Sequence, residues 1–483
     1  MHTLQALLQG VATQQTIGDH TVWVKSLCFD SRVASQDTLF VAIRGTQVDG
    51  HDYIPQAIAA GSRVIVCEQF PPSLVPQVTY VLVAHSAQAL GKIAANFYDN
   101  PSTKLQLVAV TGTSGKSTTV HLLYGLFKQL GYRVGMLSTI HNKVHEETLP
   151  ATLTTPDAIQ LNSLLAHMVA QGCQYCFMEA SSHAMVQERI AGLQLAGAVF
   201  LNISHEHLDY HQTFDAYIKA KKKLFDDLPA QAFALYNVDD KRGTVMVQNT
   251  KATTYSFAVK SPADYAAKLL SNTWQGLELR IAGKTAWFQL LGAFNAYNLL
   301  AAYATAHLLA QDSDEVLVAL SSLAPILGRF QVIHTARNFE VIIDYAHKPE
   351  ALEKALKSIQ QIKSKQGKVI TVIGCGGNRD QQKRPLMAQI ACKLSDQVIL
   401  TTDNPREEDP QTIIEQMQAG LSPSQQQKTC PIIDRAAAIQ VACRLAQRHD
   451  VVLIAGRGHE QYQEIKGQKY PFQDEAVVRK FIS

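Results

Sequence analysis

Short apolar runs bounded by Gly, Pro, Asn or Asp recur along this chain, alternating with longer stretches in which apolar residues return every three or four positions. Residues 105–110 have the pattern of a buried strand, and residues 121–130 carry leucines and aromatics at helical spacing. Further on, residues 339–344, 369–373, 397–401 and 451–455 read as strands separated by helical stretches. Such alternation predicts an α/β fold with parallel sheets, whose ligands lie at the carboxyl ends of the strands. Punctuation divides the chain into domains at 1–99, 100–327 and 328–483: Asn100-Pro101-Ser102 reads as a linker, and the stretch from Pro325 to Gly328 closes the second. The expected architecture is a small αβ domain, a central parallel sheet and a Rossmann-like C-terminal α/β domain. Residues 290–310 are the most apolar long window, but Asn295, Asn298 and His307 interrupt it, which fits an amphipathic helix better than a membrane span. Residues 422–428 are polar and read as a loop.

Length and charge narrow the classes. A chain of 483 residues has room for about three domains, each able to bury a core. Lys and Arg number 44 against 41 Asp and Glu, a net charge of +3, so no strong field draws the protein to nucleic acid or membrane. The 8 cysteines are scattered and no secretory segment opens the sequence, so free thiols in the cytoplasm are expected. Cys173 and Cys176 form a C-x-x-C inside an apolar run, without a second pair at zinc spacing, and are expected to be core thiols.

Chemistry first concentrates in Gly112-Thr113-Ser114-Gly115-Lys116-Ser117-Thr118, placed between a predicted strand and a predicted helix. That context marks a phosphate-binding loop and makes the central domain ATPase-like. Backbone N–H groups of Gly112 to Lys116 can converge on phosphates at the positive end of the helix. Lys116 then pairs with the terminal phosphates, and the Ser117 hydroxyl ligates Mg²⁺. Glu179 follows a strand-like run, which puts its carboxylate at the sheet's carboxyl end beside the loop. Asn295 and Asn298 lie three apart on the helix entered after Gly292, so both amides can meet one adenine edge; helix capping is the alternative use for either.

Further strings run from end to end: Asp30-Ser31-Arg32, Thr154-Thr155-Pro156, Met178-Glu179-Ala180-Ser181-Ser182-His183, His207-Leu208-Asp209-Tyr210-His211, Gly328-Arg329, Asp344-Tyr345-Ala346-His347, Gly376-Gly377-Asn378-Arg379-Asp380, Asp403-Asn404-Pro405-Arg406 and Gly458-His459-Glu460. In this order and spacing they make the whole chain resemble the ATP-dependent Mur ligase family. The resemblance implies that ATP phosphorylates the γ-carboxylate of D-glutamate in UDP-MurNAc-L-Ala-D-Glu, and that an amine attacks the acyl phosphate to give an amide, ADP and phosphate. It implies catalytic roles for Lys116, Glu179, His207 and Lys221. Ser117 and Glu179 would serve a first Mg²⁺, His207 a second. Lys221 stands at the register of the family lysine that becomes a carbamate (N6-carboxylysine) and ligates metal. A carbamate forms only on a neutral amine, so the site must lower a pKa that is ordinarily about 10.4. Lys219, Lys222 and Lys223 on the same stretch read as surface or steering charges, and His205 and His211 as structural. Arg329 and Asp344 would reach the ATP phosphates and ribose from the last domain, so that domain closure excludes water.

The resemblance also assigns the other substrates. Phe29, Ser31, Thr46, Gln47 and Val48 would hold the UDP moiety, and Thr154, Thr155, Ser181, Gln187 and Arg189 the rest of the nucleotide-sugar peptide. Asp403, Asn404, Pro405 and Arg406 resemble the version found in members that add meso-diaminopimelate. Its distal carboxylate suits a bidentate guanidinium, and Arg379, Gly456 and Glu460 complete the pocket, with Glu460 accepting from the distal ammonium. A surface ion pair with Glu407 or Glu408 is the plain alternative for Arg406. Ser114, Glu206, Lys348 and Arg457 depart from the usual family residues while keeping polarity or charge. The expected protein is a monomeric enzyme of peptidoglycan precursor synthesis. The competing readings are an L-lysine-adding member, a folylpolyglutamate synthetase-like ligase, which would lack the opening domain, and a nucleotide-binding protein without catalysis.

Overall fold

The computed structural model describes residues 1–45 and 48–482, apart from the side chains of Leu208 and Asp209. They form two compact units, Met1–Phe257 with Ala301–Asp312, and Ala258–Leu300 with Ser313–Ser483. Among the described residues no helix is long and apolar enough to cross a membrane.

Two sheets build the first unit. One has the order Thr13–Ile17, Thr79–Val83, Val64–Cys67, Thr38–Val41, Ser26–Cys28, parallel except where Thr13–Ile17 joins. Its inner strands are apolar on both faces, as a sheet covered on both sides requires. The other runs Glu147–Leu149, Asn142–Val144, Val134–Leu137, Tyr175–Glu179, Gln106–Thr111, Gly197–Phe200, Phe233–Asn237, Thr253–Ala258, and is parallel from Val134–Leu137 onward. The parallel order places the ends of Gln106–Thr111, Tyr175–Glu179 and Gly197–Phe200 side by side, where such sheets bind ligands. Cys173 and Cys176 are buried in its core, as expected. The stretch read as a linker is instead a packed turn: Asn100 adopts φ 49°, Pro101–Thr103 form a 3-10 turn, and buried Ser102 accepts a hydrogen bond from the Gln194 N–H at 3.0 Å. Proline there signals the turn, not freedom.

The second unit is a doubly wound sheet in the order Gln331–His334, Glu340–Asp344, Val451–Ala455, Val369–Ile373, Gln397–Leu400, Thr429–Pro431, with only its first strand antiparallel. Helices Pro349–Ile362 and Lys383–Leu394 cover one face, and Arg435–Leu445 with Asp474–Ile482 the other. An antiparallel trio, Tyr265–Thr273, Gly276–Ile281 and Lys284–Phe288, was not expected from the sequence. The apolar window at 290–310 is a helix only over Phe294–Leu308, because Gly292 at φ 88° breaks it. Residues 422–428 contain a one-turn helix, Pro423–Gln426, not a plain loop. Ser422 and Gln425 close it by a reciprocal capping box.

Candidate active site

Strand Gln106–Thr111 hands over to helix Lys116–Gln129 through a loop that only glycine serves at two points, Gly112 at φ 155° and Gly115 at φ 91°. A Cβ on Gly112 would come within 3.2 Å of the Asn202 carbonyl oxygen. Asn202 holds the loop from beside it: its Oδ1 accepts from the Ser114 N–H at 2.9 Å and its Nδ2 donates to the Ser114 carbonyl at 3.0 Å. Thr113 Oγ1 lies 3.1 Å from the Tyr217 hydroxyl and accepts from the Ser204 N–H at 3.0 Å. Lys116 curls back and donates to the Gly112 and Thr113 carbonyls at 2.7 and 3.2 Å. Ser117 and Thr118 are buried in the first helical turn.

Glu179 ends its strand next to Thr111's strand and is buried. It accepts from the Thr139 N–H at 2.8 Å and from Thr139 Oγ1 at 3.3 Å. The residues expected to hold the sugar and peptide meet around it. Thr139 Oγ1 donates to Thr154 Oγ1 at 3.1 Å, Thr155 Oγ1 donates to the Glu179 carbonyl at 2.7 Å, and Ser181 N–H donates to Thr155 Oγ1 at 3.1 Å. Arg189 donates to the Thr155 carbonyl at 2.7 Å and makes two bonds to Gln187 Oε1, at 3.0 and 2.6 Å. Of the five residues expected to hold UDP, Phe29 and Val48 are exposed and Ser31 donates to Gln56 Oε1 at 3.3 Å. Thr46 and Gln47 lie outside the described residues.

Lys221 lies on the buried face of helix Phe214–Asp226. Its amine donates to the Gly112 carbonyl at 3.1 Å, reaches Thr111 Oγ1 at 3.5 Å, and stands 4.8 Å from the centre of the Tyr217 ring. Burial, reinforced by the charge of Lys116, holds its pKa well below the usual lysine value. The other lysines of this helix form ion pairs: Lys219 with Asp215, Lys222 with Asp226, Lys223 with Asp227 and Glu188. His207, at φ 55°, puts Nε2 3.2 Å from Glu206 Oε1 and its ring 4.8 Å from that of His183. His211 bonds Ser182 Oγ at 2.9 Å, and His205 stacks on Phe214 at 4.1 Å. Among the described residues, no three of His, Cys, Asp and Glu gather as a metal-holding group. The Ser117 hydroxyl and the Glu179 carboxylate are oxygen donors of the kind Mg²⁺ takes, an ion that draws most of its remaining ligands from phosphate and water.

In the second unit, Asn295 Nδ2 donates to the Leu291 carbonyl and Asn298 Nδ2 to Asn295 Oδ1, both at 2.7 Å. The two amides are thus aligned on one helix face. The Arg329 guanidinium lies 4.5 Å from the centre of the Tyr345 ring, and the Phe330 N–H donates to Asp344 Oδ2 at 2.7 Å. Burial raises Asp344 from 3.8 to about 6, against the pull of Arg329. Burial and the charge of Lys383 lower His347 from 6.5 to about 4. The signs oppose. The raised carboxyl loses stability as pH climbs from 3.8 to about 6, while the depressed imidazole loses it as pH falls from 6.5 to about 4, because the unfolded chain takes that proton first. Each is worth about 3 kcal/mol at most, so they largely cancel in the parent protein. Urea unfolding of Asp344→Asn between pH 7 and about pH 4 is expected to show an acid loss of about 2–3 kcal/mol that the parent lacks, and His347→Gln a gain.

Beyond strand Gln397–Leu400, Asp403 and Asn404 are buried. Asn404 Oδ1 accepts from Arg457 Nη1 and from the Glu464 N–H, both at 2.8 Å, which turns its Nδ2 toward Glu460 Oε2 at 2.8 Å. Burial and the neighbouring Asp403 push Glu460 up, and Arg457, 3.4 Å away, pulls it down. Arg406 adopts φ 51°, donates to the Gly377 carbonyl at 2.8 Å and pairs with Glu464 at 3.3 Å, not with Glu407 or Glu408. A Cβ on Gly376 would lie 3.1 Å from Arg406 Nη1 and 3.7 Å from Arg379 Cγ, so both arginines converge over this glycine. Gly456 is needed at φ 115°, where a Cβ would come 2.6 Å from Asp403 Oδ2. Sequence reading missed Arg384 and Arg435, and noted Arg457 only as a departure from the usual family residue; all three are fully buried. Arg435 makes two 2.8 Å bonds to Asp474 and reaches the Ala455 carbonyl at 3.1 Å.

Residues 24–98 match the Mur ligase family catalytic domain, 110–306 the Mur ligase middle domain, and 328–458 the Mur ligase glutamate ligase domain. The chain is 53% identical over 480 residues to UDP-N-acetylmuramoyl-L-alanyl-D-glutamate–2,6-diaminopimelate ligase of Cytophaga hutchinsonii, covering 99% of each. It is 48% identical to the protein of the same name from Phocaeicola vulgatus, over 99% of this chain and 98% of that one. A solved structure of a ligase of that name superposes with a TM-score of 0.71 at 30% identity, over 100% of this chain and 98% of the other. The chain belongs to the Mur ligase family.

Proposed function

We propose that this chain is the ATP-dependent ligase that joins meso-diaminopimelate to UDP-MurNAc-L-Ala-D-Glu, giving the UDP-MurNAc-tripeptide, ADP and phosphate in peptidoglycan precursor synthesis. The substrates follow from the relatives it matches over its full length. The observation that carries catalysis is Lys221: its amine is buried against the phosphate loop, on the Gly112 carbonyl, at a site that lowers its pKa, and nucleotide binding alone needs no second lysine there beside Lys116.

The chain's residues divide the work. Backbone N–H groups of Gly112 to Lys116 and the Lys116 amine hold the β- and γ-phosphates once ATP displaces the lysine from the loop carbonyls. Thr154, Thr155, Ser181, Gln187 and Arg189 orient the nucleotide-sugar peptide so that its γ-carboxylate meets the γ-phosphate. Mg²⁺, held by Ser117 and Glu179 and by His207 with the Lys221 carbamate, would neutralise the charge between these two anions. The carboxylate displaces ADP, and the substrate amine then displaces phosphate from the acyl phosphate. Arg406 and Arg379 take the distal carboxylate of the diamino acid, with Glu460 accepting from its distal ammonium. Asn295, Asn298, Arg329 and Asp344 serve the adenosine and phosphates. We also assign 1–99, 100–327 and 328–483 as the nucleotide-sugar, ATP and amino-acid domains of a cytoplasmic monomer. Phosphate release from the full chain with ATP, Mg²⁺ and UDP-MurNAc-L-Ala-D-Glu tests the reading. Turnover is expected with meso-diaminopimelate, but not with L-lysine or without amine; preference for lysine would overturn the amine assignment, and silence in all three the ligase itself.

A further inference from the structure

Arg384 has no place in the reaction as derived, yet it is fully buried in helix Lys383–Leu394 and gathers a dense set of partners. Its two terminal nitrogens grip Glu408 at 2.7 and 3.0 Å, and they also donate to Gln416 Oε1 at 2.6 Å and the Gly376 carbonyl at 3.1 Å. Glu408 in turn accepts from the Asn378 N–H at 2.5 Å. The arginine therefore binds two loops at once, 376–380 through Gly376 and 403–408 through Glu408, and Glu408 ties the two again through Asn378. Those loops touch elsewhere: Gly377 N–H donates to the Asn404 carbonyl at 2.9 Å, and a Cβ on Gly377 would come 1.8 Å from the Pro405 carbonyl. Arg379 rides on the first loop and Arg406 on the second.

We propose that the Arg384–Glu408 pair is the positioning device of the amine pocket, setting the spacing between the Arg379 and Arg406 guanidiniums and keeping the Glu408 carboxylate away from Arg406. The proposal rests on the reading of Arg406 as the ligand of the distal carboxylate. Two features separate it from general scaffolding. Glu408 lies two residues from Arg406, so without Arg384 its carboxylate competes with the substrate's for the same guanidinium. Among the described residues, the pair's side-chain hydrogen bonds reach these two loops and Gln416 on the neighbouring helix Pro410–Gln418, not the phosphate loop or the residues assigned to the nucleotide sugar.

Steady-state kinetics of the full chain, with each substrate varied in turn, test it in Glu408→Gln, Arg384→Lys and Arg406→Ala. Glu408→Gln keeps the size and accepting oxygen of the side chain, so it decides the matter if Arg384→Lys does not fold. In the first two variants KM for meso-diaminopimelate is expected to rise about five- to twentyfold, the scale of losing a supporting contact behind a ligand, with kcat within about threefold and both other KM values unchanged. A KM for diaminopimelate within twofold of the parent, or a parallel rise in all three KM values, overturns the proposal. Arg406→Ala checks the reading beneath it: if that variant keeps the parent's diaminopimelate kinetics, the pocket assignment itself falls, whatever the clamp variants do.

Discussion

Replacing Lys221 by arginine or methionine is expected to lower kcat on the order of 10³-fold, the scale of removing one preorganised group that stabilises charge in the transition state. Arginine keeps the cation but is never neutral, so it cannot add carbon dioxide; methionine fills the same buried space without charge. The native amine can, because it has a neutral form, which burial and the neighbouring charge of Lys116 favour. On the proposed reading it would gain CO₂, lose a proton and become an anionic oxygen ligand against the phosphate loop. Carbon-13 bicarbonate should therefore give the parent protein a carbamate carbonyl resonance that Lys221→Met lacks. Activity of the methionine variant within tenfold of the parent would dismiss the carbamate.

Arg406→Ala is expected to cost about 2–4 kcal/mol in kcat/KM for meso-diaminopimelate, roughly 30- to 1,000-fold, as for losing a buried charged hydrogen bond. The guanidinium is already oriented by the Gly377 carbonyl and Glu464, so little ordering remains when a substrate carboxylate arrives. Any slow reaction with L-lysine, which has no distal carboxylate, should change less than threefold. Competition assays with both amines measure the two together, and a diaminopimelate loss under twofold would sink the assignment.

Strands and the phosphate loop were legible in the sequence because they are written locally. Val451–Ala455 is a continuous apolar run, Val369–Ile373 one interrupted only by Thr371, and both are found end to end as read. The loop helix begins at Lys116 rather than at His121, since its first turn, Lys116 to Thr119, is polar and carries no helical stripe, while Gly115 fixes the start through its backbone. The one-turn helix after Ser422 was signalled by a Ser-x-x-Gln box that polarity alone obscured. The antiparallel trio turns at Ala282 and Gly283, both at positive φ, and alanine is a poor herald of such a turn. Least legible were the buried arginines. Arg384 and Arg435 find their carboxylates 24 and 39 positions away, so nothing beside them in the chain distinguishes them from surface cations. The ligands of the proposed amine pocket thus follow from motifs, but its supports emerge only from tertiary contacts.

The left-handed backbone at Arg406 constrains how this pocket can change over evolutionary time. At φ 51° every residue but glycine is strained, by roughly 1–2 kcal/mol, and branched side chains more so; asparagine and aspartate bear it best. The least strained replacements for Arg406 are therefore glycine, asparagine and aspartate, none of which carries a cation. A lineage that leaves arginine by these routes forfeits the distal carboxylate in one step, so the wall chemistry such an enzyme supports would change by a jump, with few viable intermediates between one cross-linking amine and another.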